Sequence, residues 1–303
     1  MKQYIFQLMV SAFFLVQPAM AQQPFQQLDS LKNKKTKVYY SAGYGERAAA
    51  ITKRVDKAMA YYKKMLSFTP TVTFLVLSAG DWTKYTTLPV VYGMPHYNPD
   101  NKTLVVAAAD NPFWKSFIPP VDQLPKALRE NIQAAYKIAD GGLSMQPFFD
   151  LLALHEVGHA FHTQAGLTMQ RNWMGELFVN ILLHTYIAEK EPEALPALTV
   201  FPQMVVAGGT AGFKFTSLKD VHERYNEIGS KHPKNYGWYQ CRWHAAAAGI
   251  YDAAGKQVCT KLWYALKGQN EKLTDEQLLV FLETAADKTV GNVMRNWDRD
   301  TVK

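Results

Sequence analysis

The chain is 303 residues long, 48% hydrophobic and 19% charged, with 33 Lys and Arg against 26 Asp and Glu for a formal net charge of +7. The basic residues are densest at Lys32, Lys34, Lys35 and Lys37. No aromatic-interleaved basic strip follows them, so the run reads as a solvated segment and nucleic acid is not an expected partner. Two cysteines, Cys241 and Cys259, allow at most one disulfide in an oxidising compartment.

Residues 1–21 read as a secretory signal peptide. Lys2 supplies the positive start, Tyr4 to Val16 is mostly apolar, and Ala19-Met20-Ala21 is an A-x-A cleavage site. Gln7, Ser11 and Gln17 interrupt an apolar stretch that is already short for a bilayer. No later segment is long and apolar enough to span a bilayer. The expectation is an exported protein, periplasmic or extracellular, cleaved near Ala21 and without a membrane span. Its oligomeric state is open.

Residues 22–142 have α/β character. Lys37 to Ser41, Thr71 to Leu77 and Thr103 to Ala108 are rich in β-branched and aromatic side chains and read as strands. Glu46 to Leu66 places Ile51, Val55, Ala58, Met59, Tyr62 and Leu66 on one side of a helix. A second helix is expected from Gln123 to Ile138, and Gly141-Gly142 then forms a boundary. From 143 to 303 nearly everything reads helical: 145–165, 172–190, 192–206, 217–228, 235–266 and 274–286. The expected class is α+β, a small N-terminal twisted sheet with its helix followed by a mainly helical part.

The chemistry concentrates in the first of those later helices. His155-Glu156-Val157-Gly158-His159 fills the pattern H-E-x-x-H. Positions i and i+4 share one face of a helix, so two imidazoles at that spacing can hold one Zn²⁺, and Glu156 beside them can act as general base. From Pro147 to Ala165 the only formal charges are Asp150 and Glu156. A helix apolar nearly all round is buried, and a carboxylate inside it is costly without a cation. Ser144 as N-cap, Pro147 in the first turn and Gly166 after the end suit the boundaries.

A third ligand is needed. His162 follows His155 by seven positions, roughly 10 Å along the axis, too far to share one ion, so it is expected to hydrogen-bond nearby. Glu176 is the better candidate, because it is the only charged residue from Trp173 to Ala188 and the same argument about a lone buried carboxylate applies. Asn180, one turn later, faces the same way and could orient a zinc-bound histidine. Residues 166–171 supply the turn between the two helices.

This set resembles the gluzincin metallopeptidases, the group that includes thermolysin and the zinc aminopeptidases. Their pattern is H-E-x-x-H on one helix and E-x-x-x-D on the next, and Asn180 stands here in place of the Asp. The resemblance covers about residues 145 to 190. It implies a zincin-like fold, a single Zn²⁺ on His155, His159 and Glu176, and hydrolysis of a peptide or protein substrate with Glu156 as base. It also implies an edge strand above the metal for the substrate, at Val91 to Pro95 or in the 103–108 strand. A Tyr or His opposite the base commonly holds the oxyanion in these enzymes; Tyr236, Tyr239 and His244 are the candidates by type and position. Two rivals stand beside this reading: a non-peptidase zinc amide hydrolase on the same scaffold, and a non-catalytic binding protein stapled by its metal.

Overall fold

A computed structural model describes residues 25–32, 36–138 and 141–298. The expected signal peptide and the Ala21 cleavage site lie outside them. The sheet is formed by β1 (Asp29–Ser30), β2 (Lys37–Tyr40), β3 (Thr73–Leu77), β4 (His96–Asn98) and β5 (Thr103–Ala107). Spatial order is β1-β2-β3-β5-β4. The three central strands β2, β3 and β5 run parallel, while β1 and β4 close the two edges antiparallel.

The long helix α1 (Gly45–Leu66) crosses from β2 to β3, burying Ala48, Ile51, Val55, Ala58, Tyr62 and Leu66 along one stripe. Its predicted face is the observed one. Side chains alternate across the central strands, as the two-residue period requires. Phe74, Val76, Leu104 and Val106 join α1 in one core cluster. Leu75, Leu77, Val105 and Ala107 join the other, with Trp82, Trp114 and Tyr136. The second face is closed by α2 (Ala79–Tyr85), α3 (Pro112–Lys115) and α4 (Lys126–Tyr136).

Neither segment expected as a substrate edge is an edge strand. Residues 91–95 form no strand, and β5 is interior, paired on both sides. The edge is β4, one step further along the chain, and Pro95, His96, Tyr97 and Asn98 are all buried.

The helical part begins with α5 (Gln146–Gln164) and α6 (Asn172–Lys190). Pro147 sits in the first turn of α5, and Met145 rather than Ser144 is the cap residue, although the Ser144 hydroxyl does accept from Gln146 N–H at 3.1 Å. At the other end Gly166 adopts φ +68°, Gly166 N–H donates to Thr163 C=O and Leu167 N–H to His162 C=O. That pair of bonds is a left-handed helix stop, and it turns the chain back into α6. The two helices approach closely at Gly158, where an added Cβ would lie 2.9 Å from the Val179 Cβ.

After α6 come a 3₁₀ turn at 192–194, α7 (Leu195–Ala207), α8 (Leu218–Glu223), α9 (Tyr225–Lys231), α10 (Pro233–Ala254), α11 (Gln257–Gly268), α12 (Asp275–Ala285) and α13 (Lys288–Asn296). Two expected helices are each split. The 217–228 segment breaks at Arg224, whose φ of −123° is not helical. The 235–266 segment breaks at Gly255, with φ +68°. Cys241 and Cys259 therefore sit on different helices, in different core clusters, and are not bonded. One core cluster runs from Val38 through Leu151 and Phe178 to Trp297, so the sheet and the helices on either side of 142 share it. Among the described residues no helix is long and apolar enough to cross a membrane.

Candidate metal centre

The helix α5 is apolar on both sides: Phe148 and Phe149 enter one core cluster, while Leu151, Leu154, Val157 and Phe161 enter the other. His155 and His159 turn towards α6, while Glu156 turns towards β4. His155 Nε2 and His159 Nε2 are 3.1 Å apart. Glu176 Oε2, from α6, is 3.2 Å from the first and 3.5 Å from the second. The three atoms thus form a nearly equilateral triangle. Three vertices of a zinc tetrahedron with bonds of 2.0–2.1 Å stand about 3.3 Å apart, so the residues fit the ion.

The charge argument made from sequence separates half-buried Asp150 from buried Glu176. Asp150 is held by Arg47, which approaches both its carboxylate oxygens from α1. Glu176, 7% exposed, has ion pairs only with the two histidines among the described residues. Burial alone would raise its pKa, but the His159 charge and the bonds from both imidazoles outweigh burial and hold it well below the usual carboxylate range. Burial likewise disfavours the His159 cation, and the Glu176 charge and hydrogen bond overcome that, taking it up to about 9.

The remaining nitrogens have specific partners. His155 Nδ1 lies 3.0 Å from Asn180 Oδ1, an oxygen that accepts, and this contact turns Nε2 towards the triangle. Asn180 is fully buried and its Nδ2 has no partner among the described residues, so the whole side chain is committed to that one acceptor contact. His159 Nδ1 meets His162 Nε2 at 2.9 Å. His162 thus hydrogen-bonds the second histidine.

Glu156 is half-buried, and its Oε2 accepts the Tyr97 backbone N–H at 2.8 Å. Nearest ligand atoms of His155, Glu156 and His159 also fall within 4.8 Å of one another. That trio is looser than the one made by Glu176, and one of its oxygens is already engaged. Glu176 thus makes the tighter set with the two histidines, while Glu156 is held by the Tyr97 amide.

The oxyanion candidates divide. The Tyr239 hydroxyl donates to Ser217 C=O at 2.8 Å and its ring stacks on Trp297, so its proton is committed there. His244 is buried with its ring centroid 6.1 Å from that of His155. Burial, helped by the positive potential of His155 and His184, lowers its pKa to about 3 and keeps it neutral. Tyr236 is near but reaches the site through another residue, Tyr225, whose hydroxyl donates to Glu176 Oε1 at 2.6 Å. Sequence reasoning missed Tyr225 and Tyr97. Tyr225 stands 49 residues beyond Glu176 on a short polar helix, and Tyr97 acts through its main chain, which carries no residue signal.

No protein-family model matches the chain, and no curated protein matches it.

Proposed function

We propose that the chain is a zinc-dependent hydrolase of peptide bonds, zincin-like in fold and gluzincin-like in its ligand set of His155, His159 and Glu176. The observation that carries the reading is the triangle of donor atoms 3.1, 3.2 and 3.5 Å apart. Zinc bound there would polarise a carbonyl and bring the pKa of a coordinated water to about 7. Asn180 holds His155 in the tautomer that presents Nε2, and His162 supports His159. Glu156, with Oε2 fixed by the Tyr97 amide, keeps Oε1 to take the proton of the attacking water. It then returns that proton to the departing amine. A structural site does not need a base beside its ligands, which argues against a metal-stapled binding protein.

Glu156→Gln keeps the Tyr97 contact and the ligand triangle. It is expected to retain stoichiometric zinc while turnover of a mixed peptide library falls roughly 100-fold or more; undiminished turnover sinks the base assignment. One observation favours a second substrate class. The β4 edge is buried, Tyr97 N–H is spent on Glu156, and Pro95 and Pro99, two positions either side, have no N–H to offer. A zinc hydrolase of small amides is the reading this edge favours, and parallel assays on peptides and non-peptide amides discriminate. The proposal includes export, resting on residues 1–21, and a secreted product starting at Gln22 is the expected N-terminal sequencing result; a product retaining Met1 refutes it.

A further inference from the structure

We propose that Tyr225 and Tyr236 set the way Glu176 binds its metal, holding it to one-oxygen ligation, and do not stabilise the oxyanion. The inference rests on the metal-centre reading above and assigns the two tyrosines a task within it.

Three short gaps run in series. Gln240 Nε2 lies 2.8 Å from the Tyr236 hydroxyl, the two tyrosine hydroxyls are 2.8 Å apart, and Tyr225 OH is 2.6 Å from Glu176 Oε1. Each gap needs one proton. The ionised carboxylate has none, so Tyr225 fills the last gap with its own. Tyr225 then has no proton for its neighbour, and Tyr236 fills the middle gap. Tyr236 in turn must receive one, which only the Gln240 amide N–H can give. The opposite amide orientation leaves two phenol oxygens in contact with no hydrogen between them, so the order of donors is fixed.

This chain leaves both phenol protons committed. Tyr225 cannot turn to an oxyanion without stripping Glu176 Oε1 of its charge-assisted bond, and Tyr236 cannot without leaving the two phenol oxygens in contact with no hydrogen between them. The same bond divides the carboxylate, with Oε1 occupied by Tyr225 and Oε2 turned to the two imidazoles. The tyrosines are positioning residues for the ligand, and the Gln240 amide orients them.

Four forms of the mature chain test this: wild type, Tyr225→Phe, Tyr236→Phe and Gln240→Leu. Zn²⁺ affinity is read by competition with a chromogenic chelator, and coordination by the visible spectrum of the Co²⁺-loaded protein. Tyr225→Phe frees Oε1, and affinity is expected to fall roughly 10–100-fold. Its Co²⁺ absorption should weaken as Glu176 adds its second oxygen and the coordination number rises. Tyr236→Phe and Gln240→Leu should shift both readouts in the same direction by less, and they carry the test should Tyr225→Phe fail to fold. With Zn²⁺ saturating, turnover should drop less than tenfold in each variant. Unchanged affinity and Co²⁺ spectrum with a large loss of turnover at saturating Zn²⁺ would overturn the proposal and give the tyrosines the oxyanion. Wild-type protein that takes up no metal is a different failure, which removes the metal-centre reading and this inference together.

Discussion

Asn180 shows how much one side chain can decide. Its Nδ2 has no partner among the described residues, and its single acceptor contact selects the His155 tautomer. Asn180→Ala removes that selection and leaves a buried Nδ1–H unsatisfied. Zinc affinity by chelator competition is expected to drop roughly 10–100-fold, on the usual cost of losing a partner to a metal-binding histidine; an affinity within twofold of wild type would show that the contact is incidental. Glu176 and Asn180 were legible in the sequence because a lone carboxylate in an apolar helix has to be explained, and i+4 spacing then named its neighbour. Tyr225 was not legible, because nothing local distinguishes a tyrosine that bonds Glu176 from one that packs.

Within the elements, the close approach of α5 and α6 is what turns two spaced motifs into one site. Gly158 lies inside the H-E-x-x-H stretch, yet neither ligates nor donates. Its missing Cβ leaves room for Val179, whose Cβ and Cγ1 would lie 2.9 and 3.0 Å from an alanine methyl. Both obstructing atoms sit close to the α6 backbone, so the helix itself has to yield. Gly158→Ala is therefore expected to destabilise the protein by about 1–3 kcal/mol, as overpacking does, and to weaken zinc binding by moving Glu176 away from the histidines. Gly249, exposed in mid-α10, is the control, since a methyl added there would meet nothing within 4 Å among the described residues. Gly249→Ala should stabilise by about 0.4–1 kcal/mol through the unfolded chain. Urea unfolding of both variants decides the pair, and equal effects would refute the packing argument. The helix turn at 165–167 was foreseen from Gly166; the intimacy of the contact beyond it was not.

Across the whole molecule, α1 ties the two halves together. Arg47 reaches Asp150 on α5 and Arg54 reaches Glu191 at the end of α6, while the apolar stripe of α1 faces the shared core. Stability should therefore report on the molecule as one unit. Buried His184 on α6, its ring 5.4 Å from that of Tyr251, supplies a pH test. Burial lowers its pKa below the ordinary 6.5, against the smaller pull of Asp252. Its folded pKa is below its unfolded one, so the unfolded chain binds the extra proton. The contribution is whole above pH 6.5 and is lost as pH falls below it towards the lowered folded value. His184→Gln should flatten the wild-type loss of unfolding free energy on the acid side of pH 6.5; parallel curves for the two proteins would rule out a depressed His184.

The amino-acid sequence by itself determined the helices that carry the histidines, Glu156 and Glu176, the central strands and the stripe of α1. Those depend on periodicity and on the cost of burying a charge, both of which are written locally. Tertiary structure alone decided which strand became the edge, which tyrosine met Glu176, where the long C-terminal helices broke and which donor reached Glu156. These outcomes join residues tens of positions apart, or use main-chain groups common to every residue. Side-chain spacing cannot encode such contacts; they exist only once the helices and the sheet have packed.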